Sequence, residues 1–243
     1  MKSYPITLKT FGEKAILIEW PNKVEEAILE DIIRFKALLE SELDANFEFV
    51  PAYNSIAIIS NTTNFNLEKL EKKIPSLYEK NRTLIKTEKV LWKIPVCYDV
   101  EFGIDIREVA SNLNMTPEEL IKIHSSHNYT VYGIGFLPGF MYLGGLPGKI
   151  ETKRKDVPRL KVTKGAVGLA GKQTGIYPQE SPGGWNIIGN CPIPIFNSNA
   201  KEPCFVNVGD KIKFESISRA EYDLHKIEGE VGIYKPEKIS LNA

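Results

Sequence analysis

The chain has 243 residues, of which 42% are hydrophobic and 26% charged, with 31 Lys plus Arg set against 31 Asp plus Glu. This balance excludes disordered, collagen-like and disulfide-scaffold classes. A net charge of zero argues against a dedicated nucleic-acid binder, whose domains are strongly basic. The length suits two medium domains, since single cores tend to split near ~250–300 residues.

No apolar run reaches the ~20 residues of a transmembrane helix, and the opening MKSYPITLKTFGEK lacks the apolar core of a secretory signal, so a cytoplasmic protein is expected. Cys97, Cys191 and Cys204 are odd in number and form no CxxC pair, and His124, His127 and His225 match no metal-ligand spacing. Free thiols and no metal site are therefore expected.

Along the chain, YPITLK (4 to 9) and KAILIEW (14 to 20) read as strands joined by a turn at Phe11-Gly12-Glu13. A helix follows, with Asn22 as N-cap and an apolar face of Val24, Ile28, Ile32, Phe35 and Leu39. Two more strands lie at 47 to 53 and 55 to 60, then a helix around Leu67, Leu70, Ile74 and Leu77 that Pro75 should break or shift. Helices on one face of a small antiparallel sheet account for residues 1–87.

Residues 88 to 96 form a strand entering a second domain, 88–243, whose first helices cover Asp105 to Asn112 and Thr116 to about Ser125. The second starts with a capping box, Thr116 and Glu119, around Pro117. From Tyr129 the chain breaks into short β-type runs separated by Gly, Pro and Asn, the mark of a closed or nearly closed barrel. Glycine marks the same division, because Gly12 is the only one before Gly103 and 13 of the 18 lie between Gly133 and Gly189.

The densest chemical signal is GIGFLPGFMYLGGLPG (133 to 148), followed by DVPRLKV, GLAGKQTGIYP and SPGGW. Glycine beside proline and aromatics makes tight turns and also lets a backbone approach a ligand closely. The GK at Gly171-Lys172 is followed by Gln173, so this is no Walker A loop, and GIGFLP ends in Pro138 outside a βαβ context, so it is no dinucleotide fingerprint.

Residues 149 to 172 hold eight Lys or Arg and two acids, which suggests an anion site with Arg159 as a bidentate clamp for a carboxylate or phosphate. His124 falls four residues after Leu120, on the inward helix face, and as a group titrating near neutrality is the candidate acid/base. Tyr177 and Trp185 could stack on a small flat ligand and Gln173 could donate to a carbonyl; ordinary core packing is the competing reading for all three. Cys191 and Cys204 sit beside prolines and apolar strands, a packing context rather than a nucleophile's.

Taken together, CYDVEFG, LIKIHSS, YTVYGIGFLPGFMYLGG, VPRLKV, GAVGLAGKQTGIYPQESPGGW and VNVGDKIKF resemble the PxpB/KipI family. That family comprises the B-type subunit of 5-oxoprolinase, the sporulation-kinase inhibitor KipI and allophanate hydrolase subunit 1 domains. The resemblance implies an α+β protein, a small N-terminal α+β sandwich followed by a cyclophilin-like β-barrel. It implies a PxpC/KipA-like partner and, for 5-oxoprolinase, a PxpA-like subunit, the complex opening the lactam 5-oxo-L-proline to L-glutamate at the expense of ATP. Alternatives within the family are inhibition of a sensor histidine kinase and an allophanate or urea amide-hydrolase role. Carried onto this chain, the motifs place a substrate pocket at Gly135, Phe136, Pro138, Gly139, Phe140, Gln173, Tyr177, Pro178, Ser181, Pro182, Gly184 and Trp185, with His124 and Arg159 as catalytic candidates.

Overall fold

The computed structural model describes residues 4–62, 66–80 and 89–241. The chain separates into two compact units that part at residues 88 and 89.

In the first unit, strands β1 (Thr7–Thr10), β2 (Ala15–Glu19), β3 (Phe47–Ala52) and β4 (Ser55–Ser60) form an antiparallel sheet in the order β1-β2-β4-β3. Burial along β4 alternates residue by residue, as the two-residue period of a half-buried strand requires. Its inward residues Ile56 and Ile58 join Ile16 and Ile18 of β2 in one core with two helices. These are α1 (Glu26–Glu42), contributing Ile28, Ile32, Phe35 and Leu39, and α2 (Leu67–Lys80), contributing Leu70, Ile74 and Leu77.

Two local expectations fail here. Asn22 does not cap α1; the N-cap is Glu25, without a side-chain bond, and Val24 is exposed, because a turn in which Lys23 N–H donates to the Pro21 carbonyl holds the preceding segment out of the helix. Pro75 does not break α2, which runs through it unbroken. Its ring lies on the exposed face, where the carbonyl it leaves unpaired can bind water, while three buried apolar residues hold the helix on the sheet.

The second unit contains β5 (Lys89–Val96), α3 (Ile106–Asn112), α4 (Pro117–Ser126), β6 (Asn128–Ile134), β7 (Met141–Gly144), β8 (Arg159–Val162), β9 (Ala166–Ala170), β10 (Gln173–Ile176), β11 (Ser181–Gly183), β12 (Asn186–Asn190), β13 (Lys211–Ser216), α5 (Arg219–Glu230) and β14 (Glu237–Leu241). Eight strands form a sheet in the order β12-β9-β10-β7-β6-β13-β5-β14, and β8 pairs with β11 beside it. Among the described strands only β13 and β5 run parallel.

The α+β class holds, but the ladder does not close into a continuous barrel. The order leaves β12 and β14 at its ends, and among the described residues β12 meets the far side of the sheet through one bridge, Cys97 just past β5 with Asn190 at the end of β12, exchanging both backbone bonds at 2.9 Å. The sheet must therefore curl back on itself, and β14 on the outer side of β5 continues it beyond the point of closure. The curled interior is filled by Ile94, Val96, Val131, Leu143, Val167, Leu169, Ile212 and Phe214. The α4 capping box forms as expected, with Thr116 and Glu119 each accepting from the other's backbone N–H at 3.2 and 2.7 Å. Among the described residues no helix is long and apolar enough to cross a membrane.

Candidate functional site

The glycine-rich motifs converge on one ring. Phe140 closes the turn of residues 135–140, where Gly135 N–H donates to its carbonyl at 3.0 Å. Around its ring stand Tyr142, Tyr177, Trp185 and Phe136, edge-on at centroid distances of 5.0, 5.2, 5.4 and 5.6 Å. The neighbouring glycines are dictated by this packing. A Cβ on Gly175 would lie 3.2 Å from Trp185 Cζ3, and one on Gly168 3.0 Å from Trp185 Cβ, so the indole lies over a glycine strip spanning β9 and β10. A Cβ on Gly183 would lie 2.3 Å from Tyr177 Oη.

This arrangement corrects the expected stacking platform. Phe140, Tyr177 and Trp185 are buried against one another, as are Gly139, Pro178, Ser181 and Gly184 in the backbone around them. Their faces are covered by protein and cannot cap a ligand. Gly135 and Gln173 are half-buried, while Pro138, Pro182 and Phe136 reach solvent. Phe136 is 64% exposed and held at φ 64°, a left-handed conformation that is costly for a bulky L-residue.

His124 is likewise a core residue. Its ring, 0% exposed, stacks on Phe214 of β13 at 4.5 Å and 17°. The Thr174 hydroxyl donates to the Gly168 carbonyl at 3.0 Å, so it accepts from His124 Nε2–H at 2.9 Å, which leaves Nδ1 to accept from Tyr98 O–H at 2.7 Å. The bonds thus select one neutral tautomer. Burial, with the charge of His127 second, pulls the pKa from 6.5 down to about 3. An imidazole neutral at pH 7, shut off from solvent and bonded at both nitrogens is a structural link between α4 and the sheet, not the expected acid/base.

Arg159 lies at a more open place. Its Nη2 donates to Asp105 Oδ1 at 2.5 Å, and the same oxygen takes Lys155 Nζ at 3.1 Å. Oδ2 of Asp105 accepts from Ile187 N–H of β12 at 2.7 Å. Asp105, 2% exposed at the start of α3, thereby ties α3, β8 and β12 together. The predicted clamp is half engaged by the protein's own carboxylate, and its Nη1 is shielded from water with no acceptor.

Arg159 also lines a pocket of about 560 Å³ between β8, β12, the segment 191–194 and α5. Ala166, Ile187 and Ile193 supply apolar lining, while Lys164, Lys226 and Glu230 bring charge. Tyr222 of α5 is fixed there by donating to Asn190 Oδ1 at 3.0 Å. Cys191 lines the same pocket, but burial pushes its thiol up to about 12, so it is no thiolate nucleophile at neutral pH. Of the residues placed in the substrate pocket or given a catalytic role from sequence, Arg159 alone lines this pocket; Lys161 and Lys164 of the same basic stretch line it too. Asp105 and α5 were missed. Asp105 reads as one more acid before a helix, whereas Ser218 and Glu221 spell a capping box that could have marked α5. Among the described residues no cluster of His, Cys, Asp and Glu is arranged to hold a metal ion.

Known proteins share both the sequence and the architecture. Residues 6–206 match the family described as carboxyltransferase domain, subdomain C and D. The B-type subunit of 5-oxoprolinase from Bacillus subtilis (strain 168) is 34% identical over 239 residues, spanning 91% of this chain and 97% of that protein. The crystal structure of TTHA0988 superposes with a TM-score of 0.74 at 28% identity, covering 84% of this chain and 40% of that longer one. The urea amidolyase of K. lactis aligns over 98% of this chain and 16% of its own, with a TM-score of 0.81 at 17% identity, a likeness of fold alone.

Proposed function

The chain belongs to the carboxyltransferase subdomain C and D family, and within it we propose that this protein is the B-type subunit of an ATP-dependent 5-oxoprolinase. The observation that carries the reading is the nearly end-to-end match to a relative so named, 91% of one chain against 97% of the other. The reaction opens the five-membered lactam of 5-oxo-L-proline. Water adds to the ring carbonyl, the C–N bond breaks, and L-glutamate leaves as ATP is hydrolysed.

An amide carbonyl is a poor electrophile, which accounts for the coupling to ATP. The side chains in this chain fit a supporting part. Cys191 stays a thiol, and His124 is sealed in the core with both ring nitrogens already bonded, so neither is placed to act as a nucleophile or a base. In this reading a PxpC/KipA-like partner and a PxpA-like partner complete the site, ATP is consumed by the assembled complex, and the isolated chain is inactive. Exposed apolar side chains on and just after α5, Leu224, Ile227 and the C-cap Val231, fit a protein that works in an assembly.

The test is co-purification. The affinity-tagged chain, expressed with candidate A-type and C-type subunits from the same genome, is expected to elute as one complex on gel filtration. Elution of the tagged chain alone, with both candidates folded and present, would count against the reading.

A further inference from the structure

We propose that the pocket between β8, β12 and α5 is a binding site for a small ligand carrying one carboxylate, anchored by Arg159 and by Lys164 and Lys226 at its rim. The inference rests on the 5-oxoprolinase reading only in naming 5-oxo-L-proline as the first ligand to try. The pocket, at about 560 Å³, is of the size used for small molecules, ~300–1,000 Å³.

The charge around it is specific. Arg159 is paired with Asp105, Lys161 with Glu180, and Glu101 with Arg219. Among the described residues Lys164, Lys226 and Glu230 line the pocket without an ion partner, which leaves one positive charge in excess. That excess matches a monoanion, and two carboxylates in the lining, Glu101 and Glu230, oppose a polyphosphate. The guanidinium of Arg159 has committed Nη2 and left Nη1 without an acceptor. The Arg159 side chain as a whole remains 28% exposed, so a ligand carboxylate in the pocket can meet its charge through a charge-assisted bond. The apolar lining of Ala166, Ile187 and Ile193 suits a compact carbon skeleton behind the carboxylate.

The experiment is calorimetric titration of the full chain with 5-oxo-L-proline, with 2-pyrrolidinone as the same lactam lacking the carboxylate, with cyclopentanecarboxylate as the carboxylate lacking the lactam, and with inorganic phosphate. At least one of the two carboxylates is expected to bind at least tenfold more tightly than 2-pyrrolidinone and phosphate. Arg159→Ala removes a structural pair, so the decisive variants are Lys164→Glu and Lys226→Glu, both on exposed side chains. Each is expected to weaken carboxylate binding about fivefold or more with an unchanged melting temperature.

Binding of cyclopentanecarboxylate without 5-oxo-L-proline would support the carboxylate site and count against the 5-oxoprolinase reading. Equal binding of the lactam with and without its carboxylate, tighter binding of phosphate, binding unaffected by both charge reversals, or no carboxylate binding would overturn the inference. A complex active on 5-oxo-L-proline would leave the 5-oxoprolinase reading standing in each of those four cases.

Discussion

Lowering the pH should destabilise this protein through one residue. In the native state His124 titrates at about 3, against 6.5 when exposed. Below pH 6.5 the unfolded chain therefore binds a proton that the folded chain refuses, and stability falls with pH until the folded group titrates as well. Each pKa unit corresponds to about 1.4 kcal/mol, so the loss between pH 6.5 and 5.0 is about 2 kcal/mol and approaches ~5 kcal/mol near pH 3. The full stabilisation is present above pH 6.5.

The comparison variant is His124→Gln, whose amide can still donate to Thr174 and accept from Tyr98 but cannot titrate. Urea unfolding of both proteins, followed by tryptophan fluorescence at pH 7.5, 6.5, 5.5 and 5.0, cancels the titration of the other groups in the difference. The wild type is expected to lose about 2 kcal/mol more than the variant across the acid limb. Parallel pH profiles, or an NMR titration placing His124 near 6.5, would refute the buried and doubly bonded assignment.

Arg159→Ala strips Asp105 of its closest cation but leaves Lys155 at 3.1 Å, so the loss in urea unfolding should be about 2 kcal/mol, below the ~3–5 of a fully buried pair left broken; an unchanged midpoint would show the pair to be dispensable. Gly165 sits at φ 81°, where a Cβ would lie 2.3 Å from the Cys191 carbonyl. Gly165→Ala should cost more than ~1–3 kcal/mol, read as a fall in melting temperature, and a neutral result would contradict the packing described. Phe140→Ala empties the middle of the aromatic cluster and should cost about 3–5 kcal/mol; binding lost without any change in stability would restore the ligand-stacking role.

Local periodicity made much of the architecture legible. The faces Ile28-Ile32-Phe35-Leu39 and Leu70-Ile74-Leu77 are helical spacings, and the alternation of SIAIIS is a half-buried strand, so the first unit could be read almost directly. The α4 box was legible because its bonds close within four residues.

The site was less so, because its meaning depends on partners distant in sequence. Spacing from Leu120 turns His124 inward, but Phe214 and Thr174, which make it a neutral core residue, lie 90 and 50 residues away. Glycine beside aromatics looks the same whether the aromatic is a ligand or Trp185, and only the approach of Gly168 and Gly175 to its indole decides. Nothing local distinguishes Asp105 from its acidic neighbours until Arg159, Lys155 and Ile187 meet it. The helix α5 escaped because its apolar residues Leu224 and Ile227 stay exposed, so its apolar pattern does not mark a core face.

The central claim, that this chain is the B-type component of a lactam-opening assembly, is tested most directly by measuring L-glutamate and ADP formed from 5-oxo-L-proline and ATP in mixtures of the purified components. Turnover is expected when this chain is present with A-type and C-type partners, with glutamate and ADP appearing together, and none when it is omitted or supplied alone. Undiminished turnover without the chain, or ATP-dependent conversion by the chain alone, would contradict the claim.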